Sequence, residues 1–348
     1  MRFLVVGDPL LPSATLASAV RDVFGANVQI SEVDWQPANE EEFWFLRSQV
    51  EKLGPGAGKP PAELNDKIKN IDVIITHHTP LNAQLIKRSS ASYIGVCRAG
   101  TENIDLKAAA DKGIKVMKTM GRNAEAVSDF TIALMLAELR NLARGHAALM
   151  QGEWKKKYAN SAFMGDMRDK TIGLVGFGFI GRLVAQKLLN FGVRILVYDP
   201  YVAQDALAKF GAEAVSLEKL CRQSDFISIH ARLGKDTMGL IGMEAFSWMK
   251  STVYLINTAR AGLVDETALI AALEERRIGG AALDVFWTEP VPAGHPLLAM
   301  DNVTITPHLA GATRDTFRMT PYLLLRELKR VVDTKAISEW IVSFCLSG

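Results

Sequence analysis

An α/β fold with two open parallel-sheet domains is what this 348-residue sequence predicts. Three observations predict it. Short apolar, β-branched runs alternate with stretches of helical periodicity along nearly the whole chain, the pattern of parallel strands joined by crossover helices. A glycine-rich strand–turn–helix stands in the middle of the chain, so one α/β unit precedes it and another is built on it. The last long stretch is helical with no strand after it, as expected of a segment that returns to an earlier domain.

The glycine-rich element comes first because it is the most specific. Lys170–Val175 reads as a buried strand, and Gly176-Phe177-Gly178-Phe179-Ile180-Gly181 then reads G-x-G-x-x-G. Ile180, Leu183, Val184, Lys187, Leu188 and Phe191 recur at helical spacing. Val193–Tyr198 reads as a second strand, with Asp199 at its end. This is a complete β-α-β unit. The first glycine permits the tight turn, the second lets backbone approach a pyrophosphate, and the third lets helix and strand pack closely. The helix N-terminus offers unpaired N–H groups to phosphates. Asp199 can accept hydrogen bonds from ribose hydroxyls and would repel a 2′-phosphate, which favours NAD over NADP. By itself such a turn is an ordinary tight βα connection; strand, helix, strand and terminal acid together make it a Rossmann dinucleotide site.

Before it, Phe3–Val6, Ile71–Thr76, Tyr93–Cys97 and Lys115–Met117 read as strands, with helices near Asn82–Arg88 and Leu106–Lys112. This open, flavodoxin-like unit has no dinucleotide fingerprint of its own. Glu40–Leu53 is a charged and aromatic helix, and Gly54–Pro61 a breaker cluster predicted to be an exposed loop. Asn123 has the residue type of an N-cap, with Glu125 in the first turn, and opens a single apolar helix to about Met150. That helix is expected to cross into the next domain. Past Asp199, Phe226–His230, Val253–Asn257, Gly280–Asp284 and Val303–Thr306 continue as strands, and Glu266–Arg276 as a helix. After Gly311 the pattern is helical through Val332. The expected division is residues 1–121 with 313–348 as a discontinuous substrate (lid) domain, and 122–312 as the inserted NAD-binding domain.

Bulk properties exclude several classes. Net charge is +2, so composition makes no case for nucleic acid or an anionic membrane as partner. Cys97, Cys221 and Cys345 are widely spaced and odd in number, which suggests neither a disulfide framework nor a zinc site and fits a reducing compartment. The six histidines form no metal-ligand cluster, so no metal is expected. The N-terminal apolar run stops at Asp8, too short for a signal peptide, and the apolar stretch near Thr131–Leu142 is interrupted by Glu138 and Arg140. The expectation is a cytoplasmic protein without a membrane span.

A dinucleotide domain needs added groups to bind a substrate and move a proton. Three segments, each just past a predicted strand, offer them. In Asn257-Thr258-Ala259-Arg260-Ala261-Gly262, the Arg260 fork suits a carboxylate and can polarise a carbonyl. In Ala282-Leu283-Asp284-Val285-Phe286-Trp287-Thr288-Glu289-Pro290, Asp284 ends a strand and Glu289 precedes a proline. In Thr306-Pro307-His308-Leu309-Ala310-Gly311, His308 can move a proton near neutral pH, with a glutamate to orient it. Taken singly, each has a plain structural reading: a solvated loop arginine, a cap, a helix-entry acid, a satisfied histidine.

The order of these elements resembles the D-isomer-specific 2-hydroxyacid dehydrogenase family, over nearly the whole chain. The resemblance includes Arg98-Ala99-Gly100-Thr101-Glu102-Asn103-Ile104-Asp105 and Gly121-Arg122-Asn123-Ala124-Glu125-Ala126-Val127, which look most like the phosphoglycerate dehydrogenase branch. It implies an NAD-dependent oxidoreductase that interconverts a D-2-hydroxy acid and its 2-keto acid. Arg260 would bind the carboxylate and polarise the carbonyl, His308 would be the acid/base, and Glu289 its partner. The cofactor would meet Gly176, Gly178, Phe179, Ile180, Gly181, Asp199, Thr258, Ala259, Asp284, His308 and Gly311, with Asp284 on the nicotinamide carboxamide. His78, Arg98, Ala99 and Gly100 would touch substrate from the lid domain. The family closes two domains over a cleft and usually dimerises through the cofactor domain.

Departures are His230-Ala231-Arg232-Leu233, where the family commonly has His-x-Pro-Leu, and the long 40–61 segment. Arg232 near the adenosine end would soften the NAD preference. A further domain after the last helix is not expected, nor is the serine feedback that such a domain would bring. A phosphate clamp is not identifiable, although Arg98, Arg122 and Lys118 are candidates. Alternatives are a glyoxylate or hydroxypyruvate reductase and, in a different class, an NAD(H)-sensing corepressor-like scaffold, which can retain the same catalytic residues.

Overall fold

The computed structural model describes residues 1–335 and 338–342; Cys345 lies outside them. The chain divides into two compact units, Met1–Arg122 with the chain from Thr313 onward, and Asn123–Ala312. No helix among the described residues is long and apolar enough to cross a membrane.

The first unit is a parallel sheet of β1 (Arg2–Gly7), β2 (Gln29–Asp34), β3 (Val73–Thr76), β4 (Tyr93–Val96) and β5 (Lys115–Lys118), in the order β2-β1-β3-β4-β5. That is the flavodoxin-like doubly wound order. Strand alternation sends Phe3 and Val5 to a layer with Leu16, Val20 and Leu324, Leu325 and Leu328 of the helix Arg314–Thr334. Leu4 and Val6 face the opposite layer, with Leu64, Ile68, Leu85 and Ile86. Three elements of this unit have no counterpart in the sequence reading: the helix Ser13–Phe24, the strand β2 and the short helix Leu64–Lys67. β2 reads Gln-Ile-Ser-Glu-Val-Asp and is polar because it is an edge strand.

The helix Glu40–Leu53 is capped by Asn39, which accepts from the Glu42 amide at 2.8 Å. Its Phe43 packs edge-on against Trp35, with ring centres 5.7 Å apart. The breaker cluster after it is not the exposed loop that was expected. It turns at Pro55–Ala57, and the Lys59 carbonyl accepts the Trp35 indole N–H at 2.9 Å. A Cβ on Gly58 would stand 2.4 Å from the Pro80 side chain, so glycine allows this segment to pack inward.

The second unit is a seven-stranded sheet of β6 (Thr171–Val175), β7 (Arg194–Tyr198), β8 (Ala212–Ala214), β9 (Phe226–Ile229), β10 (Tyr254–Asn257), β11 (Gly280–Leu283) and β12 (Val303–Ile305). The order β12-β11-β10-β9-β6-β7-β8, parallel throughout, is the Rossmann order with one strand added. The chain winds outward in both directions from β6 and β9. Ligands of open α/β sheets bind at the carboxyl ends of the strands flanking such a switch point.

The single helix expected from Asn123 to Met150 is two, Ala124–Arg140 and Leu142–Met150. Asn141 breaks it in the left-handed region at φ 55°, and its side-chain amide donates to Asn160 Oδ1 at 2.7 Å. Asn tolerates that conformation better than other non-glycine residues. Asn123 stands at the N-cap position, but its side chain makes no capping bond.

Beside the break, Glu138 is fully buried and Arg144 pairs with it at 2.8 Å. Desolvation pushes the Glu138 carboxyl above its ordinary range despite that partner. Arg144→Met should therefore leave a buried carboxyl unpaired and cost about 3 kcal/mol, read as a lower urea midpoint at neutral pH. The deficit should shrink as pH falls, because the folded state then binds the proton more readily than the unfolded one. A midpoint unchanged at neutral pH would show that the pair contributes nothing.

Candidate active site

The glycine turn joins β6 to the helix Phe179–Leu188. Gly176 has φ 96°, and a Cβ there would lie 2.5 Å from the Ala231 nitrogen. A Cβ on Gly181 would lie 2.4 Å from the Gly176 carbonyl oxygen. At Gly178 a Cβ would meet nothing within 4 Å. The first and third glycines are thus enforced by close approach, and the second faces open space at the helix N-terminus. That terminus has neither a capping side chain nor an acid in its first turn, which leaves the Phe179 and Ile180 amides to an anion.

Asp199, just past β7, accepts the Phe177 N–H at 2.7 Å and the Tyr201 N–H at 2.9 Å. Past β9, His230 Nε2 bonds Ser228 Oγ at 2.9 Å, and Nδ1 is buried without a partner among the described residues. Burial pushes this imidazole down to about 3, so it is neutral. Arg232 is exposed. An open second glycine, an uncapped helix end, a strand-end acid and an orphaned ring nitrogen beside the turn fit a dinucleotide.

Past β10, Asn257 ties its own loop. Its Oδ1 accepts the Ala259 N–H at 3.0 Å, and its Nδ2 donates to the Arg260 carbonyl at 3.1 Å. Thr258 Oγ1 meets Thr131 Oγ1 at 2.9 Å. The Arg260 side chain is exposed; Nη1 donates to the Ala259 carbonyl at 2.7 Å, and among the described residues it forms no ion pair. The N-x-x-R spacing holds this loop role of Asn257, which the sequence reading left without one.

His308 and Glu289 are in contact. Nδ1 of His308 lies 2.9 Å from Oε2 and 3.1 Å from Oε1 of Glu289, and the Phe286 N–H donates to Oε1 at 3.0 Å. Partial burial raises the Glu289 carboxyl, but the hydrogen bonds from His308 and Phe286 and the charges of His308 and Arg260 outweigh it. The net direction is below the ordinary carboxylate range. A cavity of 560 Å³ opens beside the pair, walled by Phe286, Pro290, Val291, Leu298, Ile305 and Pro307.

Asp284 departs from the simple expectation of a free cofactor contact. Its carboxylate is fully buried, accepts the Thr306 hydroxyl at 2.6 Å and the Leu309 N–H at 2.8 Å through Oδ1, and accepts the Ala310 N–H at 2.9 Å through Oδ2. It therefore shapes the loop that carries His308, a role that requires Thr306, which the sequence reading passed over. Gly311 ends this loop, where a Cβ would stand 2.6 Å from the Asn123 amide nitrogen.

In the first unit, Arg98 is not a free cation. Nη1 donates to His78 Nδ1 at 2.8 Å, and Nη2 pairs with Glu51 at 3.2 Å and Glu102 at 3.1 Å. His78 is buried, and a Cβ on Gly100 would collide with the Glu102 carboxylate at 2.3 Å, next to Ala99. Burial, with His77 and arginines nearby, pushes His78 far below its ordinary range and keeps it neutral. Asn103 braces the preceding turn, donating to the Thr79 carbonyl at 3.0 Å. Glu51 was not foreseen, since nothing in the sequence brings residue 51 to residue 98.

Asp284→Asn tests the loop assignment. One amide N–H would face the Leu309 or Ala310 N–H, and the expected loss is about 2 kcal/mol of stability, read as a lower Tm. A Tm equal to that of the unsubstituted chain would show that the buried carboxylate does not hold the loop.

Residues 132–310 match the family model for the D-isomer specific 2-hydroxyacid dehydrogenase NAD binding domain. The D-3-phosphoglycerate dehydrogenase of Methanocaldococcus jannaschii is 36% identical over 300 residues, covering 85% of this chain and 56% of that protein. The hydroxypyruvate reductase of Thermotoga maritima is 37% identical over 295 residues, covering 83% of this chain and 91% of that one. A crystal structure of a glyoxylate reductase from Paecilomyes thermophila aligns with TM-score 0.68 and 28% identity, covering 97% of both chains. The chain spans about half the length of the D-3-phosphoglycerate dehydrogenases it matches, 56% and 53%. It belongs to the D-isomer-specific 2-hydroxyacid dehydrogenase family.

Proposed function

We propose that this protein interconverts a D-2-hydroxy acid and its 2-keto acid with NAD(H). The observation that carries the reading is the His308–Glu289 pair, at 2.9 Å, in the same unit as an exposed arginine that forms no ion pair among the described residues. Arg260 binds the carboxylate through its fork and polarises the neighbouring carbonyl. Glu289 occupies Nδ1 of His308, which leaves Nε2 to hand a proton to the keto oxygen in reduction and take it back in oxidation. NAD(H), when bound, supplies or accepts the hydride. Gly176, Gly178, Phe179, Ile180, Gly181 and Asp199 hold its phosphates and ribose, and Thr258, Ala259, Asp284 and Gly311 border the nicotinamide side. His78, Ala99 and Gly100 belong to substrate selection, with Arg98 positioning His78. Both the phosphoglycerate-type and the glyoxylate or hydroxypyruvate substrates named among its relatives fit this chemistry.

A homodimer through the second unit accompanies this reading. Leu142, Leu149, Met150 and Trp154 are exposed apolar side chains clustered in sequence, which a partner copy would cover. A cytoplasmic setting agrees with two buried thiols, Cys97 and Cys221, each raised well above the ordinary range by desolvation.

A panel of 2-keto acids assayed with NADH and NADPH tests the activity. Oxidation of NADH in preference to NADPH is expected, and no turnover with any of them would favour a sensing scaffold. His308→Gln should lower kcat by about 10²- to 10⁴-fold while NADH still binds, as followed by its fluorescence. Near-normal turnover in that variant would remove His308 from the proton transfer.

A further inference from the structure

The second unit holds a cavity of 100 Å³ at the end of its sheet away from the glycine turn. Phe226 and Tyr254, the first residues of β9 and β10, wall it with Leu139 and Phe163. Gly176, His230 and Arg260 lie past the carboxyl ends of β6, β9 and β10. At about 3.3 Å per residue, these strands set their two ends about 15 Å apart. The walls are aromatic for local reasons. Tyr254 stacks on Phe226 with ring centres 5.1 Å apart and meets Phe163 at 6.1 Å. Asn160 sets this arrangement: its carbonyl accepts the Phe163 N–H at 3.0 Å, and its side-chain amide donates to the Tyr254 hydroxyl at 2.8 Å. A Cβ on Gly279 would stand 2.9 Å from the Thr252 carbonyl oxygen and 3.1 Å from the Phe163 ring, so glycine lets that ring come in.

The acid of this cavity is committed and its cation is not. Asp225 Oδ1 accepts the Lys250 ammonium at 2.8 Å, and Oδ2 accepts the Thr171 N–H at 2.8 Å. Lys170 also lines the cavity and is half-buried. Its ammonium lies toward Gly165, where a Cβ would stand 3.5 Å from Nζ. Among the described residues that ammonium has no hydrogen-bond or ion-pair partner, and neither has the Thr252 hydroxyl. With Lys250 balanced by Asp225, Lys170 is the charge left without a counterion. Both unpaired groups can donate to the two oxygens of a carboxylate, and a charge-assisted bond is roughly twice as strong as a neutral one. The rings beside them offer apolar contact to a short hydrocarbon chain. The volume admits a few heavy atoms and excludes a nucleotide or a sugar phosphate.

We propose that this cavity is a binding site for a short-chain monocarboxylate, its carboxylate on Lys170 Nζ and the Thr252 hydroxyl and its hydrocarbon end against Phe163 and Tyr254. The site goes beyond the function proposed above, whose carboxylate ligand, Arg260, lies at the opposite ends of the strands. Its occupant packs against Tyr254, whose hydroxyl holds Asn160 at 2.8 Å, and Asn160 holds Asn141 at 2.7 Å. A bound acid therefore steadies the break between the helices Ala124–Arg140 and Leu142–Met150.

The test uses the full chain carrying Arg260→Met, which removes the carboxylate ligand at the other end of the strands. Propionate is the probe, titrated at constant ionic strength, with binding read from saturation transfer to its methyl protons. Propionate should bind this protein, and adding Lys170→Met should raise its Kd about tenfold, the loss of one charge-assisted hydrogen bond. 1-Propanol, of the same length without the charge, should bind the Arg260→Met protein about tenfold more weakly than propionate does. No propionate binding to the Arg260→Met protein, an unchanged Kd on adding Lys170→Met, or equal binding of 1-propanol would each overturn the proposal. Should the Lys170→Met protein not fold, Lys170→Gln serves, and an undiminished affinity there also overturns it. Keto-acid turnover plays no part in the readout, so failure of the activity proposed above leaves this test intact.

Discussion

The buried carboxylate of Asp284 is the constraint on which the loop that carries His308 depends. His308 sits at φ 55°, a left-handed conformation that a residue with a Cβ avoids at roughly 1–2 kcal/mol. Against that cost stand the Thr306 hydroxyl and the Leu309 and Ala310 amides, all donating to one carboxylate that is shielded from water. Hydrogen bonds to charged groups contribute roughly 1.5–3 kcal/mol each, so the loop keeps its strained residue with margin. The His308 ring then points where Glu289 can take Nδ1. Glu289 is fixed in turn by the Phe286 amide, two residues past Asp284. The geometry of the pair is thus set from both sides of one short segment.

The same device recurs at other strand ends. Asp8 follows β1, Asp199 follows β7 and Asp284 follows β11, each one residue past its strand. Asp8 gathers the amides of Leu10, Leu11 and His78 and the His77 ring, and Asp199 gathers those of Phe177 and Tyr201. A parallel sheet leaves backbone donors unpaired where its strands stop, and buried donors must be satisfied. An acid at that point satisfies several at once and fixes a turn. The turns so fixed are those that an open α/β sheet offers to ligands. Structural need and site construction therefore draw on one residue type at one position.

What could be read from the sequence follows from the same physics. Strands buried on both faces are nearly continuous apolar runs, so β1, β3, β4, β6, β7 and β9 to β11 were visible, as were the edge strands β5 and β12, whereas the three-residue edge strand β8 was not. The edge strand β2 carries Ser31, Glu32 and Asp34 and was not. The glycine turn was legible because its first and third glycines answer local steric demands, while the second faces open space at the helix end. The break at Asn141 depends on Asn160, and the charge balance of Arg98 depends on Glu51, both distant in sequence. Arg98 looked like a ligand for an anion because only its residue type could be read.

His308 and Glu289 differ from these positioning acids in exposure. Asp284 is fully buried, whereas the His308 and Glu289 side chains are 50% and 39% exposed. In the function proposed above His308 exchanges a proton with the substrate, so it must be reached and cannot be held as Asp284 is. The consequence is electrostatic. Two unit charges 4 Å apart attract by about 1 kcal/mol in bulk water and about 4 kcal/mol at an effective dielectric constant of 20. A ligand that fills the 560 Å³ cavity replaces water with apolar contact along Phe286, Val291, Leu298 and Ile305. Filling the cavity therefore excludes water from beside the pair and strengthens the pull of the Glu289 carboxylate on the His308 ring.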